Sequence, residues 1–329
     1  MKICVYGVGA IGGHLLGRLA AKGDLDVSAV ARGANLAALK ASGIRVKTPS
    51  GEMSGRVTAT DDPTTLGVQD SVVVAVKAPA LPSIVAGLKA LIGPETSVAF
   101  VMNGVPWWYL HGSGGPLAGK RLTLLDAHDA LLATVGVRRA IGGVIYGGCD
   151  AVAPGVVHVE APQTRLILGH PDDRKSASIE ALASVLRADD FSVEASTNIR
   201  RDVWAKLQVN ITSGLFACLT DRSIRDAYEE PLCQTAVRSL VDETVALAAA
   251  LGCTTGFSMD RLARQAGGQQ RKTSIALDLE LHRPIEFDAM FGAPLELARL
   301  LDVPVPTFDL LAGLLKLRAS AVGSYPGPN

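Results

Sequence analysis

Gly7, Gly9 and Gly12, in the run G-V-G-A-I-G, have the spacing of a loop whose backbone can close on a phosphate. Each glycine would do a different job: Gly7 allows the tight turn, Gly9 lets the backbone approach a pyrophosphate, and Gly12 lets the next helix pack close to the strand before it. Val8, Ala10 and Ile11 complete the loop, and the N-terminus of the following helix receives the phosphate charge. The motif alone is weak, and a chance glycine cluster or the apolar middle of a secretory leader would read alike over a few residues. Here the run is richer in glycine than a leader's, and His14 and Arg18 interrupt it before any clear cleavage site. Ile3 and Val5 read as a buried strand, whereas Ile11, Leu15, Leu16 and Leu19 recur at helical spacing. Strand, glycine turn and helix together form the setting in which the motif binds a dinucleotide. The second strand then ends V-S-A-V-A-R-G, so Arg32 stands where an NAD-binding chain would carry an acid. Asp24 and Asp26 precede that strand. Arg32 reads either as a solvated surface arginine or as the partner of a 2′-phosphate through charge-assisted bonds. The second reading makes NADP(H) the expected cofactor.

The elements that must position these residues alternate through the first half. Val27–Ala31, Ser71–Val76 and Ser97–Met102 read as strands, with Ala34–Ser42 and Leu81–Leu91 as helices between them. Such alternation implies a parallel, doubly wound sheet. The stretch 142–169, rich in valine and glycine, reads as further strands closing the domain, and H-G-S-G-G-P-L-A-G-K (111–120) as a loop or hairpin. From Asn198 the pattern is helical, near 198–219, 231–251, 272–282 and 285–301, with Pro304 and Pro306 before a last segment. The expected architecture is α/β: an N-terminal Rossmann-type domain over 1–197, followed by an all-α substrate and catalytic domain over 198–329.

Gross composition narrows the function. The 329 residues suit two domains, and 32 basic residues against 32 acidic ones give no surface bias toward nucleic acid or membrane. No uninterrupted apolar stretch reaches the roughly 18 residues of a spanning helix. Cys4, Cys149, Cys218, Cys233 and Cys253 are odd in number and scattered, which points to reduced thiols and a cytoplasmic setting. The six histidines show no ligand spacing, so no metal is expected.

Five further signals stand in order along the chain: V-K-A (76–78), V-M-N-G-V (101–105), P-G-V-V-H (154–158), W-A-K-L-Q-V-N (204–210) and K-T-S-I-A-L-D…R-P-I-E-F-D (272–288). At these separations they resemble the ketopantoate reductase family, from about Met1 to residue 318. The resemblance implies an oxidoreductase that reduces 2-dehydropantoate to pantoate with NADPH, in the pathway to pantothenate. Carried over by motif, Lys206 would be the general acid and Glu286 a substrate-binding carboxylate. Asn103, Asn210 and Ser274 would line the substrate site, and Lys77 and Asn103 would lie near the cofactor. The chemistry is coherent, because hydride addition to a ketone leaves an alkoxide that needs a donor beside it. Lys206 and Asn210 are four apart and share a helix face. Each residue also has a plainer reading. Lys206 would be a solvated helix lysine, Ser274 a helix-start serine, Asn103-Gly104 a tight turn, and Glu286 an acid in the first turn of a helix opened by Pro284.

Four departures from the family pattern bear on the substrate. Ala80, Gly214 and Arg271 stand where the family often has polar amides, and the segment after Asn103 is unusually aromatic. Trp107, Trp108 and Tyr109 are expected to pack between domains. The expected partner is a small 2-oxo acid, with a homodimer compatible with the reading. The alternatives are reduction of another branched 2-oxo acid, or a non-catalytic NADP-binding sensor.

Overall fold

A computed structural model describes residues 1–112, 114, 117–266, 272–325 and 327. Two compact units emerge, one comprising Met1–Met102 with His128–Ile199, the other Asn103–Ala127 with Arg200–Asn329.

The first unit is α/β. In chain order its elements are β1 (Lys2–Tyr6), α1 (Ala10–Ala20), β2 (Asp26–Val30), α2 (Gly33–Ser42), β3 (Ile44–Thr48), β4 (Gly51–Gly55), β5 (Thr58–Thr60), β6 (Ser71–Val74), α3 (Leu81–Leu91), β7 (Ser97–Val101), α4 (Ala130–Thr134), β8 (Ala140–Tyr146), β9 (Cys149–Ala153), β10 (Val156–Val159), β11 (Thr164–Gly169), α5 (Ala177–Leu186) and β12 (Phe191–Ala195). Eight strands form one sheet in the order β12-β11-β8-β7-β6-β1-β2-β5. Its centre is parallel, with Val5 of β1 opposite Ala29 on one side and Val73 on the other. The expected parallel sheet is present, with one antiparallel step: β11 runs antiparallel to β8 and carries β12 parallel to itself. The central strands S-V-V-V and S-V-A-F-V are buried at every position, as strands covered on both faces must be.

A second, four-stranded sheet, β4-β3-β10-β9, is absent from the sequence reading. It lies on α1, where a methyl at Gly13 would come within 2.6 Å of Val157 Cγ2 and one at Gly17 within 2.2 Å of Val46 Cγ2. α1 also carries a buried polar cluster. Arg18 donates from Nη1 and Nη2 to the two carboxylate oxygens of Asp190 (2.8 and 3.0 Å) and from Nε to His14 Nε2 (2.6 Å). Its guanidinium stacks 4.5 Å from the Phe191 ring centroid. Burial, with Arg18 adding to it, holds the His14 imidazole down at about 3.

The second unit is helical: α6 (Ile199–Thr220, its first residue counted with the first unit), α7 (Ile224–Glu229), α8 (Pro231–Ala250), α9 (Met259–Ala266), α10 (Ser274–Glu280), a π-helical turn (Asp288–Gly292) running into α11 (Ala293–Leu300), and α12 (Pro306–Ala321). The segment 103–127, which the sequence reading leaves in the first domain, packs in this unit. Its aromatic run explains why. Trp108 and Tyr109 are buried, and the Tyr109 hydroxyl accepts from Trp204 Nε1 of α6 (2.6 Å) and lies 3.7 Å from Cys253 Sγ. Arg200 donates to the Tyr109 and His111 carbonyls (2.8 and 2.7 Å). Trp108 and Tyr109 thus make these contacts within the helical unit. Of the glycine-rich loop, Ser113, Gly115 and Pro116 lie outside the described residues.

Candidate active site

The glycine loop leaves β1 at Tyr6 and enters α1 at Ala10. Gly7 has φ +94°, and a Cβ there would stand 2.5 Å from Val76 Cγ1. At Gly12 a Cβ would fall 1.9 Å from the Gly7 carbonyl oxygen, so helix and strand meet at backbone contact. Gly9 differs: a Cβ there would meet nothing within 4 Å. Two glycines are therefore required by the protein's own packing, and the third leaves the side open that a pyrophosphate would approach. Val8, Ala10 and Ile11 fill the rest of the loop, and the residues present fit a dinucleotide.

Arg32 is exposed at the N-cap of α2, two residues past the end of β2. Burial pushes the Tyr6 phenol up, opposed by the Arg32 charge. Lys77 is half-buried just past β6, at the N-cap of a 3₁₀ turn, Ala78–Ala80. The loop, Arg32 and Lys77 thus follow the C-terminal ends of three neighbouring parallel strands, the edge of an open α/β sheet where ligands bind.

In the helical unit, three expected residues meet directly. Lys206 Nζ, half-buried on α6, donates to Asn103 Oδ1 (2.8 Å). Asn103 Nδ2 donates to Glu286 Oε2 (3.2 Å), and Glu286 is only 9% exposed. A cation, an amide and an anion form one chain, and only one orientation of the Asn103 amide satisfies both neighbours.

Backbone fixes Asn103 in turn. Gly104 has φ +84°, and a Cβ there would lie 2.5 Å from the Ala289 carbonyl carbon and oxygen. The next N–H, of Val105, donates to the same Ala289 oxygen (2.8 Å). The N-G dipeptide is therefore both turn and site. The sequence flags it as a turn but gives no signal that its partner is Ala289, 185 residues on.

Glu286 sits differently from its expected place inside a helix. Residues 283–286 form no regular element, and helix begins at Phe287 with the π turn as its first full turn. The Glu286 carbonyl accepts from Met290 N–H (3.0 Å), so this residue launches the helix from outside. Its flanks are pinned. Ile285 N–H donates to the Ser324 carbonyl (3.0 Å), and the Tyr325 hydroxyl donates to Asp288 Oδ1 (2.8 Å). Burial raises the Asp288 carboxyl above the ordinary range, with Tyr325 and the Lys316 charge opposing.

Asn210 is half-buried one turn beyond Lys206. Ser274 is exposed as the first residue of α10, and Thr273, not Ser274, caps that helix by accepting from Ala276 N–H (3.4 Å). Gly214, a further turn along α6, is where α10 and the π turn close in. A methyl there would stand 3.3 Å from Ile275 Cγ2 and 3.6 Å from Phe291 Cζ. An amide at that position would meet these apolar side chains. Arg271 lies outside the described residues. No cluster able to hold a metal occurs among the described residues.

Two family models match the chain along most of its length. The description "Ketopantoate reductase PanE/ApbA" matches residues 3–173, and its C-terminal counterpart matches residues 198–319. A 2-dehydropantoate 2-reductase of Mesorhizobium japonicum is 37% identical over 327 residues, 99% of this chain and 100% of that one. A crystal structure assigned to a ketopantoate reductase of Ralstonia solanacearum MolK2 superposes with TM-score 0.91 at 36% identity, covering 98% of this chain and 99% of that one. The 2-dehydropantoate 2-reductase of Geobacter metallireducens GS-15 gives TM-score 0.81 at 25% identity, covering 96% and 99%.

Proposed function

The chain belongs to the ketopantoate reductase family, and from that premise we propose that it reduces the C2 ketone of 2-dehydropantoate to the alcohol of pantoate, with NADPH as the reductant, in cytoplasmic pantothenate synthesis. The observation that carries this reading is the continuous chain from Lys206 through Asn103 to Glu286. When bound, the nicotinamide supplies the hydride, and the protein's task is to orient the acceptor and deliver a proton. Lys206 Nζ serves as the general acid, stabilising the oxygen as charge builds on it and then releasing a proton to it. Asn103 fixes the direction of the Lys206 side chain. Asn210, on the same helix face, is a second polar contact for the acid, and Ser274 takes its carboxylate. Glu286, held by the same amide, accepts from the substrate hydroxyl.

Residues Gly7 to Gly12 hold the pyrophosphate, with Lys77 and Asn103 nearer the nicotinamide. Arg32 takes the 2′-phosphate, which supports NADPH over NADH. All five cysteines are unbridged, in keeping with a reducing compartment. The apolar contacts crowding Gly214 favour a second reading, in which another branched 2-oxo acid replaces 2-dehydropantoate. A pure NADP sensor would need the glycine loop and Arg32, but not the Lys206–Asn103–Glu286 chain.

Initial rates for 2-dehydropantoate and a panel of branched 2-oxo acids, each with NADPH and with NADH, test the proposal. We expect 2-dehydropantoate with NADPH to give the highest kcat/KM. A higher value for an acid without the hydroxyl would move the assignment to the second reading, and equal use of NADH would remove the role of Arg32.

A further inference from the structure

The motif P-G-V-V-H and the small sheet that contains it have no part in the chemistry above, yet one side chain joins them to the glycine loop. Asn35, half-buried in the first turn of α2, donates from Nδ2 to the Val8 carbonyl (3.0 Å) and accepts at Oδ1 from Gly155 N–H (3.1 Å). We propose that Asn35 is a positioning residue for the dinucleotide, tying the Val8–Gly9 peptide of the loop to the Gly155 turn of the small sheet. The proposal rests on the reading that this loop binds the cofactor's pyrophosphate.

Peptide geometry carries the argument. In a trans peptide the carbonyl and the following N–H point in opposite directions. No cis bond occurs among the described residues, so fixing the Val8 carbonyl fixes the direction of the Gly9 N–H. Gly9 is the position whose side-chain direction is open, and its N–H belongs to the helix start that faces phosphate.

The far end of the tie is equally fixed. Gly155 has φ +69°, its carbonyl accepts from Arg45 N–H of β3 (2.9 Å), and a Cβ there would stand 3.2 Å from Ala38 Cβ of α2. Val157, two residues on, packs against Gly13 of α1. The motif therefore supplies a rigid post, and the small sheet buttresses the loop from behind. Asn suits the position because its amide donates and accepts at once. The same turn carries Arg32 as its N-cap, so one turn of α2 bears both the charge for the 2′-phosphate and the tie for the pyrophosphate loop.

Two ligands separate this role from a merely structural one: NADPH, which spans the loop, and adenosine 2′-monophosphate, which has the 2′-phosphate but no pyrophosphate. Affinities would be measured by calorimetry on the full chain and on Asn35→Ala. We expect NADPH binding to weaken about tenfold, equivalent to ~1.4 kcal/mol, with the nucleotide monophosphate unchanged. Asn35→Leu, which keeps the side-chain volume, carries the same expectation should the alanine variant not fold. Unchanged NADPH affinity would overturn the proposal. So would equal weakening of both ligands, or failure of both variants to fold, since either makes Asn35 a general prop. An unsubstituted chain that binds no NADPH would overturn the loop reading and this proposal with it, whereas loss of the contrast between ligands falls on Asn35 alone.

Discussion

At the scale of single residues, Glu286 separates the two substrate readings. Its carboxylate is nearly buried and already accepts from Asn103, so a substrate hydroxyl would join a preformed acceptor. Sites built to bind a hydroxyl reject analogues without it by up to about ten-thousandfold, because the buried group is left unpaired. Glu286→Ala should therefore lower kcat/KM for 2-dehydropantoate at least about a hundredfold more than for the analogue with methyl in place of that hydroxyl. A ratio of efficiencies unmoved by the substitution would detach Glu286 from the hydroxyl. Arg32 makes a parallel case on the cofactor. Arg32→Asp removes a charge-assisted bond of ~1.5–3 kcal/mol and adds repulsion, so the preference for NADPH over NADH should vanish or invert. Comparing kcat/KM for the two cofactors in both proteins checks this.

At the scale of elements, the site depends on how the turn after Asn103 meets the π turn. Gly104→Ala would force a side chain into positive φ and into the Ala289 carbonyl. We expect a loss of about 2 kcal/mol or more in denaturant unfolding, from left-handed strain plus the displaced backbone. Turnover should fall with it, and NADPH affinity should fall less than turnover, since Asn103 is only one of the proposed cofactor contacts and the glycine loop lies in the other unit. A variant of normal stability and turnover would show that this contact does not set Asn103. How much of this was legible follows from the range of each signal. β1, α1 and α3 are readable because continuous apolar runs and helical spacing are local patterns, and Leu81–Leu91 is a helix with the bounds the spacing predicts. The small sheet is not readable. I-R-V-K-T alternates as a half-buried strand does, but nothing local names its partners: G-E-M-S-G is largely exposed, and β3 pairs with β10 more than a hundred residues away. The start of the last helices was misread for a related reason. Pro284 signals a helix start, but the tail at Ser324 and Tyr325 holds residues 285–288 and delays it. Lys206, Asn103 and Glu286 were legible as motifs, whereas their joining through one amide is a tertiary fact.

At the scale of the whole molecule, acid stability should report the buried cluster on α1. His14 has an ordinary value of 6.5 and is held near 3 in the fold, chiefly by burial and then by Arg18. Between those values the unfolded chain binds a proton that the folded chain refuses, so stability rises with pH. This contribution is complete above 6.5 and is lost as pH falls toward 3. Asp190, lowered first by its hydrogen bond to Arg18, acts in the same direction below its ordinary value of 3.8. The free energy of unfolding should thus fall below pH 6.5 with a slope approaching ~1.4 kcal/mol per pH unit for one proton. His14→Gln, which can still accept from Arg18, should flatten that slope, and an unchanged slope would assign the acid sensitivity elsewhere. On the proposed reading, the glycine loop, Arg32 and Lys77 lie in the first unit and the Lys206–Asn103–Glu286 chain in the second. The central claim is that Lys206 gives the proton that completes reduction of a 2-oxo acid. Its most direct test is single-turnover reduction of 2-dehydropantoate by the NADPH-loaded protein, unsubstituted and as Lys206→Ala, with NADPH affinity measured alongside. The account predicts a rate lower by roughly a hundredfold or more, the range for removal of a general acid, at unchanged cofactor affinity. A near-normal rate in the variant would contradict it and make Lys206 a helix lysine that happens to bond Asn103.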